Sequence, residues 1–262
     1  MIVKTLLAAV VAGLIAGVFM TAAQQARVVP LILHAEEYEG KEPAPAVPGT
    51  ETPAAVEGES HEHSSLTGPS FPTDILDALS PVTPAYAHEG EHEEGGIMFG
   101  MSRFSGTLIA NLVAGAGFGL LLAGVSILIG RPVMLSNGAL WGAFGWLAVH
   151  LLPAIGLPPE LPGFPAADLG DRQVWWVATI VLSAAGLYLL ALRAEIVAKI
   201  LGLVLIAAPH VYGAPQPADI SSTVPAVLGA EFAVAALATT LAFWIVLGLV
   251  SGFLNDRLAR TA

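Results

Sequence analysis

The sequence predicts an all-α fold, a polytopic transmembrane helix bundle, and three observations carry that prediction. Of 262 residues, 55% are hydrophobic and only 12% are charged, whereas soluble domains carry roughly 25% charge. Apolar runs of the roughly 20 residues needed to cross about 30 Å of hydrocarbon as a helix recur along the chain. The formal net charge of −11 is not spread out but sits wholly between Gln24 and Thr107, where acids far outnumber Arg27, Lys41 and Arg103. The chain is therefore an apolar body with one acidic excursion.

Six spans follow in order: Thr5 to Ala23, Leu108 to Ile129, Gly138 to Leu157, Val174 to Leu192, Ile196 to Val211 and Val224 to Leu249. The fifth is short and holds Lys199, which can snorkel to the headgroups. A five-span reading, with that segment re-entrant or merged, is the alternative. Residues 1–23 read as a first span, or as a cleaved signal peptide with Lys4 as its charged region. Residues 24–107 then form an external loop, 108–254 a bundle of five further spans, and 255–262 a cytoplasmic tail.

Short cytoplasmic loops carry an excess of Lys and Arg. With six spans, Lys4, Arg131, Arg193, Lys199, Arg257 and Arg260 share one side with only Glu195 and Asp256 as acids. This places both termini in the cytoplasm and 24–107 outside. Pairs of glycines four apart, Gly13/Gly17, Gly115/Gly119, Gly138/Gly142 and Gly248/Gly252, read as close-packed seams between helices. Pro158-Pro159 with Gly163 and Pro165, and Tyr212 to Pro217, make two stiff external turns, with Trp175 and Trp176 expected at the outer interface.

The composition excludes several functions. A chain this acidic repels phosphate backbones, which excludes nucleic-acid binding. Without cysteine there are no disulfides, thiolate metal sites, iron–sulfur clusters or cysteine nucleophiles. Nor is there a Gly-x-x-x-x-Gly-Lys-Ser/Thr phosphate loop, so the chain does not itself hydrolyse ATP.

Ionisable residues inside lipid are costly and mark function. His150, His210 and Glu231 all fall in the outer half of their spans, with Asn111 as a neutral partner. Neutral imidazole and carboxylate suit cobalt, nickel, zinc and copper better than magnesium or calcium, so the set reads as a metal site. Taken singly, each residue has a plainer reading, as an interfacial histidine on headgroups or a carboxylate capping a broken helix. The excursion adds His34 with Glu36 and Glu37, His61 and His63, and His88 and His92 among further acids. Such a chain wraps a divalent cation readily; the alternative is a solvated acidic loop with incidental histidines. Its composition predicts disorder over 41–70 and one short amphipathic turn or helix over 71–79.

Several blocks resemble a known family. They are Thr21-Ala-Ala-Gln-Gln-Ala-Arg-Val-Val-Pro-Leu-Ile-Leu33 with Glu36, Glu37, Tyr38 and Glu39; His150-Leu-Leu-Pro-Ala-Ile-Gly-Leu-Pro-Pro-Glu-Leu-Pro-Gly163; Ala166 to Asp168 through Arg172-Gln-Val-Trp-Trp176; and Pro209-His-Val-Tyr-Gly-Ala-Pro-Gln-Pro217. Together they resemble the CbtA family of proposed cobalt transporter subunits. The resemblance implies a multi-pass protein of the bacterial inner membrane with five or six spans. It also implies a small single-span, His-containing CbtB partner and cobalt import for cobalamin synthesis. The middle of the excursion aligns with no fixed pattern.

The expected function is a permease subunit for a divalent metal, cobalt first, with nickel or zinc as alternatives. The metal is cargo, and no permanently bound cofactor is expected. The loop gathers the ion, and His150, His210 and Glu231 strip its water. An inside-negative potential supplies about 2.3 kcal/mol per charge per 100 mV, hence roughly 4.6 kcal/mol for a divalent ion. The alternative is a metal-binding accessory that hands the ion to another permease. An enzyme is not expected, because no catalytic constellation appears.

Overall fold

The structure, a computed structural model, describes residues 2–38 and 102–260. These residues belong to one compact unit, Met1–Ala44 with Gly96–Ala262. The expectations placed on 41–70, on 71–79 and on His61, His63, His88 and His92 lie outside the described residues.

Among the described residues all regular structure is helical. In chain order it comprises α1 (Ile2–Arg27), α2 (Val29–Glu36), α3 (Arg103–Ile129), α4 (Leu135–Trp146), a π-turn (Leu147–Leu151), α5 (Leu152–Ala154), α6 (Leu169–Leu192), α7 (Ile196–Tyr212) and α8 (Ala226–Arg260). Four of these, α1, α3, α6 and α8, are long and apolar enough to cross a membrane. Helix α4, the π-turn and α5 follow one another without a break as a rod of roughly 30 Å at 1.5 Å per residue. The 17 residues of α7 give roughly 26 Å, and α7 is a helix separate from α6 rather than a continuation of it. Five of the six predicted apolar segments thus fall on one helix each, and the third falls on α4, the π-turn and α5.

The glycine pairs meet one another. A Cβ on Gly13 would run into the carbonyl of Gly115, and one on Gly115 into that of Gly13, while Gly17 abuts Asn111 and Gly119 abuts Ala9. This register makes α1 and α3 antiparallel. On a second antiparallel seam, Gly138 and Gly248 face each other's carbonyls, Gly142 meets Trp244 and Gly252 meets Met134. Helices α6 and α7 form a third, where a Cβ on Gly186 would lie 2.6 Å from the Gly202 carbonyl oxygen. Without a hydrophobic drive between helices in lipid, such backbone approach supplies the van der Waals attraction and Cα–H···O contacts that hold the bundle.

Polar side chains pin the seams. Asn111 donates to the Thr21 hydroxyl at 3.0 Å and to Gln24 Oε1 at 2.7 Å, so it joins α3 to α1 rather than partnering a histidine. At the other end Asn255 donates to the Val133 carbonyl and Asp256 accepts from the Leu135 N–H. The turn into α4 is made by Gly130, left-handed at φ 70° where glycine bears no Cβ penalty. Between α6 and α7, the backbone N–H of Glu195 itself and the Arg193 guanidinium hold the Glu195 carboxyl below its ordinary range.

The antiparallel registers sort the ends of the bundle. One end gathers Lys4, Arg131, Arg193, Lys199, Arg257 and Arg260; the other carries α2 and the turns 155–168 and 213–225. There Val28 and Ala35 pack with Leu161, Val224, Leu228 and Phe232 as a second core, apart from the main core around Trp244 and Leu247. Two expectations need correction. The segment after the first span is not all loop, because Pro30 in the first turn opens α2. Trp175, expected at the outer interface together with the exposed Trp176, is buried, its Nε1–H donating to the Pro209 carbonyl at 3.2 Å.

Candidate functional site

Proline has no N–H and its ring clashes with the carbonyl four residues back, so Pro153 cannot simply continue the helix that begins at Leu135. The chain widens instead: the Leu152 N–H bonds to the Leu147 carbonyl, five residues back, and Leu147–Leu151 forms a π-turn. His150 lies on this turn. Such turns are uncommon and recur at functional sites.

His150 faces an aromatic wall. The Trp244 Nε1–H donates to His150 Nδ1 at 3.1 Å, with Phe118 6.0 Å from the His150 ring centre and 5.1 Å from that of Trp244. Trp244 is fully buried, and an indole nitrogen can only donate. Nδ1 is therefore the acceptor, and the neutral ring carries its proton on Nε2. A metal needs an imidazole lone pair, and the lone pair of His150 is held by Trp244.

Beside His150 is a cavity of about 360 Å³, walled by the π-turn and α5, the first two turns of α6 and the middle of α8. Its polar lining comprises His150, Glu160, Arg172, Gln173 and Thr240. Glu160 is not free to bind an ion, because Arg172 pairs with it at 2.9 Å. Two lining residues on α8 accept from the Trp146 Nε1–H, Leu237 by its carbonyl and Thr240 by its hydroxyl, each at 3.1 Å. Asp168 caps α6, accepting from the N–H groups of Gly170 and Asp171.

The other predicted residues are placed separately. His210 closes α7 against the Trp175 ring at 5.8 Å, and neither of its ring nitrogens has a hydrogen-bond partner among the described residues. Glu231 stands on an exposed face of α8. His34 is exposed on α2 with its ring 5.8 Å from Tyr38, Glu37 is exposed, and Glu36 pairs with Arg103 at 2.7 Å. Among the described residues, no three His, Asp or Glu side chains gather closely enough to hold a metal ion. His150, His210 and Glu231 share one half of the bundle but not one coordination sphere. The residue that sequence reasoning missed is Trp244, whose signal was an indole donor in a span, which needs an acceptor when buried.

Comparison across protein families matches residues 2–256 to CbtA, described as a probable cobalt transporter subunit. The chain belongs to the CbtA family. The match runs through α1, the excursion and every helix to α8, so the CbtA assignment covers both the bundle and the His150 cavity. No curated protein and no solved structure matches the chain. The CbtA description, a probable cobalt transporter subunit, implies a transported metal ion and a partner in a transporter complex.

Proposed function

We propose that this chain is the permease subunit for uptake of a divalent transition metal, cobalt being the ion the family description names. In this reading the six helices span the membrane with the basic end in the cytoplasm and the α2 end outside. The His and Glu residues of 24–107 gather the ion there, among them His34, Glu37, His61, His63, His88 and His92, and His150 meets it in the membrane. The observation that carries the reading is the cavity at the π-turn, where a broken helix ladder, a histidine and room for water coincide in the half of the bundle nearest α2.

The absence of a gathered ligand set among the described residues suits transit better than storage. A conducting site must bind weakly enough to let go, and a lone imidazole that first has to leave Trp244 binds weakly. His210, with both ring nitrogens unpartnered among the described residues, is a second contact along the route. Glu231, on the outer face of α8, acts by its charge near the mouth rather than as a ligand beside His150. Nickel and zinc suit the same imidazole and carboxylate groups as cobalt.

Radioactive cobalt accumulation in cells expressing the chain with its partner subunit tests this. His150→Ala should lower uptake at unchanged protein level, with His210→Ala having a smaller effect. Equal uptake by His150→Ala and the parent would sink the transit role. The same dispersed ligand set also fits an accessory that captures metal and hands it to another permease. Purified chain in proteoliposomes separates the two readings, because an accessory alone accumulates no cobalt under an inside-negative potential.

A further inference from the structure

Of the residues that line the His150 cavity, Glu160 carries the one carboxylate and Arg172 the one permanent positive charge. They meet through one nitrogen and one oxygen, Arg172 Nη2 donating to Glu160 Oε2 at 2.9 Å. Arg193, by contrast, grips Glu195 through two nitrogens, at 3.2 and 3.1 Å, the two-pronged form in which such pairs are strongest. The Arg172 and Glu160 side chains are 30% and 27% exposed, so an ion in the cavity reaches the pair without unfolding anything around it.

The two partners are not held alike. Pro158 and Pro159 stiffen the backbone just ahead of Glu160. Arg172 belongs to the first turn of α6, its backbone N–H on the Asp168 carbonyl, and spans the gap to Glu160 with a long side chain. The N-terminal turn of a helix carries partial positive charge and disfavours a cation, so the guanidinium is held there by Glu160. When a second cation arrives, Glu160 stays and Arg172 gives way. At equal distance a divalent ion is attracted to the carboxylate twice as strongly as a guanidinium. A monovalent ion gains no more than Arg172 does and lacks its tether. We infer that Arg172 is a tethered counter-ion for Glu160: the cargo ion displaces it from the carboxylate, and its charge, kept beside the ion, drives the ion off again. The inference rests on the cavity being the route of the ion. It gives that route a carboxylate that binds and a built-in competitor that prevents trapping, as conduction requires.

Two measurements test this: cobalt uptake kinetics in cells expressing the chain with its partner subunit, and cobalt titration of the purified full chain by calorimetry. In Arg172→Gln, KM and Kd should each fall by about two- to fivefold, the span that partly exposed ion pairs give. The maximal rate should fall with them, because the ion leaves more slowly; damage to the fold lowers the rate without tightening binding. Glu160→Gln should weaken binding and raise KM. In the Glu160→Gln background, Arg172→Gln should no longer tighten binding, a cycle that separates the cavity from the ligands of 24–107. Arg172→Met keeps the apolar stem and provides the same readings if circular dichroism and elution volume show the glutamine variant unfolded. Unchanged or weaker binding in the Arg172 variants, unchanged binding in Glu160→Gln, or equal tightening with and without Glu160 would each overturn the counter-ion. If the parent carries no cobalt, the permease reading fails and the calorimetric cycle alone decides the counter-ion. If uptake depends on His150 while the Arg172 variants keep the parent's KM and Kd, the permease reading stands and the counter-ion falls.

Discussion

Replacing Trp244 by Phe removes one N–H and keeps an aromatic ring in the wall around His150. The Trp244–His150 hydrogen bond, 3.1 Å long and buried, is of a kind that contributes about 0.5–1.5 kcal/mol net. A metal binding through Nδ1 has to break it first, so its loss should tighten cobalt binding by the same amount. That corresponds to a factor of about 2 to 12 in Kd at room temperature. The smaller ring also leaves a void, and thermal stability in detergent should fall by an amount on the order of 1–2 kcal/mol. Cobalt titration of the purified chain by calorimetry reads the affinity, with His150→Ala as the reference for a lost ligand. Unchanged or weaker binding in Trp244→Phe, alongside lost binding in His150→Ala, would refute the competition for the lone pair. Nitrogen-15 shifts of the His150 ring give an independent check: without metal they should report Nε2 as the protonated nitrogen.

The other predictions concern the frame. Gly142→Val puts a branched side chain against the Trp244 carbonyl and should cost at least 1–3 kcal/mol through overpacking, seen as a lower unfolding midpoint in detergent; an unchanged midpoint would contradict the seam. Asn111→Leu removes two interhelical hydrogen bonds and should cost about 1 kcal/mol with cobalt uptake per folded protein intact; a selective loss of uptake would return Asn111 to the transport route. Asp219 is held below its ordinary carboxyl range by the backbone N–H of Ser221 and then by its hydroxyl. A depressed acid gives stability that is present above its unfolded pKa and lost as pH falls through the folded one. Ser221→Ala should raise the Asp219 pKa in a carbon-13 titration while the backbone bond keeps it partly depressed. It should also shift the acid loosening of the 213–225 turn to higher pH.

The helices were legible in the sequence because lipid imposes a length and an apolar composition that chance rarely meets. The seams were legible too, since glycine at four-residue spacing has a direct packing meaning, and Gly13/Gly17 and Gly115/Gly119 turned out to be each other's partners. Helix ends were not. Helix α8 runs on to Arg260 past the expected Leu249 because nothing stops a helix once it leaves the lipid, and Asn255, Asp256 and Arg257 are good enough helix formers. The candidate site was legible as residues and not as geometry. His150 stood out as an ionisable group in a span, yet its partner lies 94 positions away on α8. Likewise Asn111 was visible, but its partners Thr21 and Gln24 depend on which helix α3 packs against. The π-turn had a local cause in Pro153, although a proline alone does not tell a kink, a stop and a widened turn apart.

That widened turn has a consequence for how the rod of α4, the π-turn and α5 serves two neighbours. Each residue of an α-helix advances by about 100° around the axis. The π-turn absorbs one residue more than an α-helix would, so the rod carries two registers joined by a slip. Ahead of it, Gly138 and Gly142 are locked to the backbone of α8. Beyond it, buried Pro153 and then Gly156, which abuts Trp175, set the register towards α6. Removing one residue between Leu147 and Leu151 would straighten the ladder and make the two registers incompatible, so that one seam would have to give way. The extra residue works as a joint. It lets one rod satisfy both seams, and His150 lies on the turn between them.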